Sequence, residues 1–433
     1  MSWTEALVIY SLVLSGCLVG GVGIGVSMGF VGVLGISLAS GMSMWPTLAS
    51  VIWNSTTDFE LTAIPLFILM GELILQCGIA SRFYSGVAGW FRRVPGGLAQ
   101  TNIAGSAVFS AVCGSSVATA LTIGSVAIKE MRQRGYDDRL TFGTITGGAC
   151  LGILIPPSIP LIVYASMTQE SVIDLFMGGV IPGLVLAGLF SVFIAVKALA
   201  QPHLLPPRNT PPEPGALMRG LRDSMPIIIL ILSVIGGMYF GIVTPTEAAG
   251  LGVVVALVLS KLYGKLSFQL FANAVRNTLL TSAVIMFITI CAQVLSFAVV
   301  SAGIGQGLAD WLVNLDISPF LFFTFLVLIY LVIGIVIDGL SIMLLTVPVL
   351  YLPLKALGFD GVWIGILMVV FIELGALTPP VGLNLFAVQS IAPGATMSSV
   401  SWSSLPYCLI ILAFAFLLYF FPQIVLWLPQ SLK

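Results

Sequence analysis

Helix-breaking residues with oxygen-bearing neighbours occur at four positions deep inside apolar stretches of this 433-residue chain. The first two are Cys113-Gly114-Ser115-Ser116 and Ile155-Pro156-Pro157-Ser158, and the third is Asp338-Gly339. The fourth, Thr378-Pro379-Pro380-Val381-Gly382, is followed by Asn384. A proline removes a helix hydrogen bond and frees a carbonyl one turn earlier. Such a set of carbonyls, hydroxyls and one carboxylate predicts that a small cation binds here.

The same breaks could also bind an anion. Each break starts a new half-helix, whose N-terminal end carries a partial positive charge. Backbone polar groups cannot be left bare in lipid, so a broken helix at membrane depth indicates a cavity or a protein interior. We therefore expect a cation and an anionic substrate to bind together near the middle of the membrane. A simple kink at each Pro-Pro pair is the alternative, and it does not explain four breaks in two matching pairs.

Two acidic residues lie in these apolar stretches. An ionised Asp at the centre of a membrane helix costs about 2.5–3.5 kcal/mol, and Asp338 has no Lys or Arg near it in sequence. We expect a bound cation as its partner, rather than a neutral, hydrogen-bonded Asp. Glu373, five residues before Thr378, is a possible coupling acid. It could act as a second cation ligand, a proton carrier or a packing group, and its sequence position does not choose among them.

The composition is that of a membrane protein with many spans. Charged residues make up 8% of the chain, hydrophobic residues 58%, and the mean hydropathy is +1.13. A soluble domain carries about 25% charged residues, so this chain could not cover its own surface in water. The net charge of −1 offers no basic surface for phosphate, so no nucleic-acid partner is expected. A soluble enzyme and a disordered chain are excluded as well.

Histidine and cysteine usage argues against enzyme chemistry. The single histidine, His203, lies in a proline-rich polar segment, and the six cysteines are scattered without a CxxC pair. An intramembrane serine protease would need a Ser–His pair, and an aspartyl protease would need two facing Asp residues. We therefore predict no enzyme, no cofactor and no bound metal other than a coupling ion, and we interpret the cysteines as small apolar residues.

Apolar blocks long enough to cross the membrane predict an all-α protein, because about 20 apolar residues span the hydrocarbon. Segments 79–93 and 303–315 look amphipathic, and 6–40 is long enough for two short spans. The segment 200–222 contains six prolines and is predicted to be a cytoplasmic linker between two halves. The predicted blocks are 6–40, 60–77, 97–128, 140–166, 172–199, 224–241, 245–263, 277–302, 318–352, 361–392 and 404–428.

The two halves repeat each other at a shift of 223 residues. Within residues 135–157 the shift gives seven identities without a gap, including Pro156-Pro157 with Pro379-Pro380. It also aligns Ser115 with Asp338. Coincidence in a biased composition is the alternative. We predict an N-terminal half, 1–199, with a re-entrant hairpin at about 97–128 and a broken helix at about 140–166. The C-terminal half, 223–433, has the equivalent hairpin at about 318–352 and broken helix at about 361–392.

Charge predicts that the repeats have opposite orientations in the membrane. The loop at 129–139 carries four Lys or Arg residues, whereas its counterpart at 353–362 has only Lys355. Basic loops face the cytoplasm. The other basic loops, 82–93, 197–222 and 261–276, can also be cytoplasmic if 97–128 and 318–352 enter the membrane and return. Inverted-topology repeats are typical of secondary transporters, and they put the N-terminus outside.

The motifs together resemble the large membrane subunit of TRAP transporters, the tripartite ATP-independent periplasmic type. Six motifs occur in the family's order and spacing, and the resemblance covers nearly the whole chain. Each alone would be weak, and the hairpin of the second repeat varies around the acid in this family. The motifs are Gly114-Ser115-Ser116, Arg134-Gly135-Tyr136, Ile155 to Ile159, Ile181-Pro182-Gly183, Thr244 to Ala249 and Thr378 to Gly382.

This resemblance implies a function and partners. Similar subunits work with a small membrane subunit of about four helices and a soluble periplasmic substrate-binding protein. They import organic acids such as C4-dicarboxylates and sialic acid across the bacterial inner membrane, on a sodium gradient and by an elevator motion. The first span begins close to residue 1, so we expect the small subunit to be a separate chain.

The resemblance also implies two sodium sites and a substrate site between them. In similar proteins the hairpin tips and the facing helix breaks hold sodium and border the substrate. Carried over to this chain, the sodium ligands are Ser115, Ser116, Pro156 and Ser158 in the first site and Asp338, Gly339, Thr378 and Gly382 in the second. The residues in the vicinity of the substrate are Gly114, Pro157, Pro379, Pro380 and Asn384.

Other functions remain open at this stage. A stand-alone cation- or proton-coupled organic-anion transporter would have the same broken helices but no binding protein. A channel would have no need of paired inverted breaks. The organic acid, the ion stoichiometry and the oligomeric state are not encoded in any pattern that we can interpret.

Overall fold

The computed structural model describes residues 1–91, 94–206, 216–335, 337–380 and 382–431. Within these ranges the chain forms helices and no strands. Both halves consist of α-helices joined by short turns. The ten helices of the N-terminal half are α1 (Trp3–Val19), α2 (Ile24–Ser40), α3 (Trp45–Thr56), α4 (Ala63–Gln76), α5 (Ile79–Phe91), α6 (Leu98–Cys113), α7 (Ser116–Gln133), α8 (Asp138–Ala149), α9 (Ile159–Thr168) and α10 (Val172–Ala200).

The C-terminal half has a similar succession of helices. Its first helix passes through a π-helical segment, Leu232–Gly236, into the short α12. The helices described in this half are α11 (Ala216–Ile231), α12 (Gly237–Tyr239), α13 (Pro245–Leu262), α14 (Phe268–Ser301), α15 (Ile304–Asn314), α16 (Pro319–Gly334), α17 (Gly339–Ala356), α18 (Gly361–Ala376), α19 (Leu383–Ile391), α20 (Met397–Phe420) and α21 (Gln423–Ser431).

Six helices of the described chain are long and apolar enough to cross a membrane, and a bent pair could make a seventh span. The bent pair joins Glu60–Gln76 to Ile79–Phe91 at an angle of 70°. Apolar side chains on the outer helices, such as Phe240 and Leu184, remain exposed, as expected of a surface that faces lipid rather than water. The six are Val172–Ala200, Met218–Tyr239, Pro245–Leu262, Phe268–Ser301, Gly339–Ala356 and Met397–Phe420.

Helix bounds in the two halves correspond at the shift of 223 residues that the sequence indicates. Adding 223 to the bounds of α7 gives the bounds of α17. The helices α8 and α18 both begin after an Asp cap, Asp137 and Asp360, whose carboxylates accept hydrogen bonds from backbone N–H groups of the first turn. The same local cap chemistry therefore starts equivalent helices in both halves.

One pair of equivalent segments differs. The long α14 is continuous over 34 residues, whereas the corresponding part of the N-terminal half is divided into α3 and α4. Asp58 and Glu60 lie at that division. Helix α14 packs along α2 and α4, and α13 packs along α4. These four helices form one side of the molecule, opposite the broken helices.

The segment predicted as a linker, 200–222, is partly helical. Its last residues belong to α11, which begins at Ala216, and Pro202–Leu204 form a single 3-10 turn. Residues 207–215 lie outside the described ranges, so the linker interpretation stays a prediction there. The adjacent loop of the first half is held by ion pairs, because Arg132 binds Asp138 through two nitrogens and Arg134 binds Glu130.

Candidate cation and anion site

The first helix break is a tight turn between α6 and α7. Gly114 ends α6 in the left-handed conformation, with a φ of 59°, and a Cβ at this position would lie 2.8 Å from the carbonyl oxygen of Pro157. Only glycine fits such a close approach. Ser115 then caps α7, because its hydroxyl accepts a hydrogen bond from Ala118 N at 3.4 Å. The turn therefore presents the N-terminal end of α7 to the Pro156-Pro157 break.

The second hairpin has an equivalent cap with a different charge. Asp338 caps α17, and its Oδ2 accepts a hydrogen bond from Ser341 N at 3.1 Å. Asp338 and Ser115 are related by the 223-residue shift, as are Ser341 and Ala118. The Asp338 side chain is exposed, and its partner in the described chain is this backbone amide. Val336, just before the tip, lies outside the described residues.

The first Pro-Pro break separates α8 from α9. A 3-10 turn, Cys150–Gly152, follows α8, and the next residues are irregular until Ile159. Pro156, Pro157 and Ser158 are buried, and the Ser158 hydroxyl donates to the carbonyl of Ile153 at 2.6 Å. A hydroxyl that donates its proton in this way keeps its oxygen lone pairs available for a cation.

The second Pro-Pro break separates α18 from α19. The Thr378 hydroxyl donates to the carbonyl of Leu374 at 2.7 Å, so its lone pairs also remain available. Pro379 is half-buried and Pro380 is exposed, whereas Gly382 is buried and caps α19. Val381, in the middle of this motif, lies outside the described residues.

A buried polar network connects the two breaks. Glu373, on α18, is 2% exposed, and Asn384, on α19, is fully buried. The Asn384 amide donates to Glu373 Oε2 at 3.1 Å and also approaches the Cys150 thiol at 3.7 Å. The hydroxyl of Ser116 adjoins the same carboxylate. Glu373 Oε1 and Asn384 Oδ1 have no hydrogen-bond partner among the described residues. Glu373 and Cys150 are themselves related by the shift of 223.

Both hairpin tips and both breaks border one cavity of about 180 Å³. Its lining follows the repeat, because five pairs of lining residues are related by the 223-residue shift. The pairs are Ser115 and Asp338, Ser116 and Gly339, Val117 and Leu340, Ile153 and Ala376, and Pro160 and Leu383. Gly114, Ile159, Ile285 and Ile372 complete the lining. The cavity therefore lies where the two halves of the molecule meet.

The residues predicted as ligands divide into two groups. Five of them line the cavity, namely Gly114, Ser115, Ser116, Asp338 and Gly339. The others lie at the breaks but outside the lining, and they are Pro156, Pro157, Ser158, Thr378, Pro379, Pro380, Gly382, Asn384 and Glu373. Asn384 is buried against Glu373, so its amide group faces the acid rather than the cavity.

Several lining residues are not indicated by any sequence motif. Ile285 comes from the middle of α14, in the opposite half of its repeat, and nothing in its neighbourhood marks it. Ile153 and Ala376 lie between recognised motifs. The 223-residue shift could have identified these two as a pair, because each precedes its Pro-Pro break by three residues.

The site offers hard oxygen ligands and helix N-termini rather than transition-metal chemistry. No group of three or more His, Cys, Asp or Glu side chains that could hold a metal occurs in the described part of the chain, and all six cysteines are free. Hydroxyls, carbonyls and a carboxylate suit a hard cation such as sodium, and the N-terminal end of α7 suits an anion.

Solved structures with a similar fold are membrane transporters. The YdaH transporter of Alcanivorax borkumensis matches 87% of this chain and 88% of its own, with a TM-score of 0.58 and 16% identity. MtrF of Neisseria gonorrhoeae, described as one of a class of antimetabolite efflux pumps, matches 89% of this chain and 85% of its own, with a TM-score of 0.61 and 13% identity. The fold is that of multi-pass helical transporters.

Sequence comparison identifies the family. The model of the DctM component of tripartite ATP-independent periplasmic transporters matches residues 11–424, and the chain belongs to this family. It is 34% identical to the C4-dicarboxylate TRAP transporter large permease protein DctM of Rhodobacter capsulatus over 99% of both chains. It is 33% identical to DctM of Pseudomonas aeruginosa over 94% of both. The sialic acid TRAP transporter large permease protein SiaM of Vibrio cholerae is 29% identical over 96% of both. The resemblance predicted from the motifs is confirmed.

Proposed function

We propose that this chain is the permease subunit of a secondary transporter that imports an organic acid across the bacterial inner membrane on a sodium gradient. The acid is a carboxylate, as in the relatives named for C4-dicarboxylates and sialic acid. A periplasmic binding protein delivers it, and a small four-helix membrane subunit completes the assembly in the bilayer. No enzymatic step and no resident cofactor take part.

The cavity at the meeting point of the two halves carries this proposal. It joins the N-terminal ends of two helices, two hydroxyls and one carboxylate in a single place. A channel or a structural protein has no need of this combination. A transporter that couples a cation to an anion needs both kinds of group close together.

The paired helix bounds support two repeats of inverted topology. In this proposal α6–α7 and α16–α17 are re-entrant hairpins that enter the membrane from opposite sides and meet at their tips. Irregular backbone at the tips and at the Pro-Pro breaks is tolerated because it borders a cavity rather than lipid. The sites at the two tips are then related by the internal repeat.

Sodium binding makes the cavity ready for the substrate. The first ion is held by Ser115, Ser116, Pro156 and Ser158, and the second by Asp338, Gly339, Thr378 and Gly382. A free Asp338 carboxylate would repel an incoming carboxylate, and the sodium ion offsets that charge. The substrate then binds next to the ions without a net charge buried in lipid. Coupling follows because the substrate binds well only after sodium.

Glu373 supports both ion sites in this proposal. It is enclosed by Asn384 from the second break, Cys150 from the first break and Ser116 from the first hairpin tip. A buried carboxylate without a Lys or Arg partner is costly unless a cation lies nearby. We therefore assign Glu373 as a coupling acid whose negative charge favours sodium on either side of it.

Transport is proposed to proceed by an elevator motion. The moving part, here named the transport block, comprises the hairpins, the broken helices and the helices that follow them, α10 and α20. The scaffold comprises 224–263, the amphipathic helices α5 and α15, and α2, α4 and α14, which pack together on one side. The 70° bend between α4 and α5 lets α5 lie across its neighbours, as an arm around the block would.

Uptake into proteoliposomes tests the proposed function. The chain is reconstituted with its small subunit, and labelled organic acid is supplied on the binding protein outside. We expect uptake with an inward sodium gradient and none with equal potassium or choline. Equal uptake in all three salts would overturn sodium coupling. Uptake of free acid without the binding protein would instead favour a stand-alone transporter.

A further inference from the structure

The cavity at the hairpin tips has an almost entirely apolar wall. Nine of its fourteen lining residues have apolar side chains, two are glycines, and the polar side chains belong to Ser115, Ser116 and Asp338 alone. No Lys, Arg, His, Asn, Gln or Thr is among the fourteen. A ligand can therefore form polar contacts at the two tips only, and the rest of its surface must lie against apolar groups.

The two tips are not equivalent toward an anion. The N-terminal end of α17 already has a carboxylate, because Asp338 accepts a hydrogen bond from Ser341 N. The N-terminal end of α7 is capped by the neutral Ser115 through a long hydrogen bond of 3.4 Å. An aligned helix end carries about half a positive charge, so the free positive end in the cavity is that of α7. The hydroxyl of Ser116 lies in the first turn of the same helix.

The charged side chains outside the cavity do not change this asymmetry. The basic residues nearest in the fold to the first hairpin, Arg132 and Arg134, are paired with Asp138 and Glu130 at its far end. Lys355, at the far end of the second hairpin, is paired with Glu170. The cavity is thus provided with one position for a carboxylate, at the α7 tip.

Volume limits the ligand further. A water molecule occupies about 30 Å³ in the liquid, so a cavity of about 180 Å³ holds only about six water molecules. A sugar acid with many hydroxyls would exceed this space and would lack partners for its hydroxyls. A dicarboxylate would turn its second charge toward Asp338 or toward the apolar wall, and burying an unpaired carboxylate is strongly unfavourable.

We propose that the substrate is a small monocarboxylate with an apolar body, bound with its carboxylate at Ser115 and Ser116 and its body against the apolar wall of the cavity. This inference rests on the proposed function, because it takes the cavity as the substrate site. It differs from the C4-dicarboxylates and sialic acid for which the relatives are named.

Two acids with equal carbon number test the proposal directly. Butyrate and succinate differ only in that a terminal methyl replaces a second carboxylate. The full chain in lipid nanodiscs is melted in sodium chloride with each acid, and in choline chloride as a reference. A ligand that binds only the folded state raises the melting temperature. We expect butyrate to raise it in sodium, and succinate to bind roughly tenfold more weakly or less.

Cavity variants locate the effect. Ala376→Leu fills the cavity from the second break, and it should abolish the butyrate shift while leaving the sodium shift. Ser116→Ala should weaken the butyrate shift by removing one donor. Leu184→Ala is the matched control, because Leu184 is 61% exposed on α10 and both shifts should persist in it.

Each outcome has one meaning. A succinate shift equal to or larger than the butyrate shift would overturn the monocarboxylate proposal and leave the proposed function intact. Absence of any carboxylate shift, in a protein that sodium does stabilise, would overturn both, since the cavity would then not be the substrate site. A butyrate shift that persists in Ala376→Leu would overturn the assignment to this cavity.

Discussion

At the scale of single residues, Asp338 combines two roles that mutation can separate. It caps α17 through the Ser341 amide, and in the proposed mechanism its charge also binds sodium. Asn is as good a helix cap as Asp, so Asp338→Asn keeps the cap and removes the charge. Ser115 at the equivalent position caps α7 without any charge. The chain therefore contains its own comparison between capping and charge.

We predict that Asp338→Asn loses the sodium-dependent rise in melting temperature, whereas its stability in choline stays within about 0.5 kcal/mol of the wild type. Asp338→Ala should lose the sodium response and, in addition, about 1 kcal/mol of stability in either salt. Ser115→Ala, the control, should lose about 1 kcal/mol of cap energy but keep a sodium response at the second site. Melting curves in sodium, potassium and choline chloride at equal ionic strength measure these differences. A full sodium response in Asp338→Asn would contradict the role of its charge.

Glu373 can be tested for charge in the same way. Glu373→Gln preserves shape and keeps a partner for Asn384, but it removes the buried negative charge. If the carboxylate is ionised next to sodium, we expect the apparent sodium affinity to fall roughly tenfold, equivalent to about 1.4 kcal/mol. Titration of the melting temperature against sodium concentration measures this change.

An unaltered sodium titration in Glu373→Gln would show that Glu373 is neutral in the folded protein, and its role would then be packing. Cys150→Ala is a useful companion. The Cys150 thiol adjoins the same network but carries no charge, so we expect its removal to change the sodium affinity less than twofold or so.

At the scale of helices, close backbone contacts hold the second hairpin against the broken helix. A Cβ on Gly334 would lie 2.5 Å from the Cα of Gly375, so α16 and α18 touch with no side chain between them. Gly375 is the residue that the 223-residue shift pairs with Gly152, and Gly152 lies just as close to Ser116 of the first hairpin. In both halves the glycine next to the break therefore allows a hairpin helix to approach.

We predict that Gly334→Ala destabilises the protein by about 1–3 kcal/mol, the usual cost of overpacking a filled contact. Gly188→Ala is the matched control, since Gly188 lies inside α10 and an added Cβ would meet nothing within 4 Å. Alanine favours a helix over glycine by about 1 kcal/mol, so the control should be neutral or slightly stabilised. Thermal unfolding of the two variants under one set of conditions compares them, and equal stability would contradict the close contact.

Much of the helix arrangement could be predicted from sequence because its causes are local. Proline pairs, caps and apolar length fix where helices stop, and these features recur at the shift of 223 residues. The amphipathic segments predicted at 79–93 and 303–315 are helices Ile79–Phe91 and Ile304–Asn314. The continuous α14 could not be predicted, because whether its N-terminal part joins the rest depends on packing against α2 and α3.

The site was less predictable than the helices. Residues at the two hairpin tips line the cavity, since a turn that ends both arms of a hairpin exposes its own tip. The contact of Glu373 with Cys150 and Asn384 joins three separate helices, and no local pattern encodes such a contact. Ile285 is the clearest case, because an apolar residue in a long apolar helix carries no signal of which cavity it will border.

At the scale of the whole molecule, one loop joins the two parts that should move relative to each other. This loop follows α3. The carbonyl of Phe59 accepts a hydrogen bond from Thr246 of α13, at 3.3 Å, and α13 lies in the scaffold. The next residue back, Asp58, accepts a hydrogen bond from Ser166 of α9, and α9 lies in the transport block. The Asp58–Ser166 contact therefore crosses the boundary, and an elevator motion must break it.

We predict that a disulfide between Asp58→Cys and Ser166→Cys stops transport by fixing the block against the scaffold. Uptake into proteoliposomes should fall by roughly tenfold or more after oxidation and recover after reduction, because immobilising the step that reorients the site removes turnover without removing the site. Sodium should still raise the melting temperature of the cross-linked protein, since binding needs only one of the two states. Each single-cysteine variant, oxidised in the same way, should keep its uptake. Full uptake by completely cross-linked protein would contradict the elevator motion, because a transport block tied to its scaffold at α9 cannot carry the cavity across the membrane.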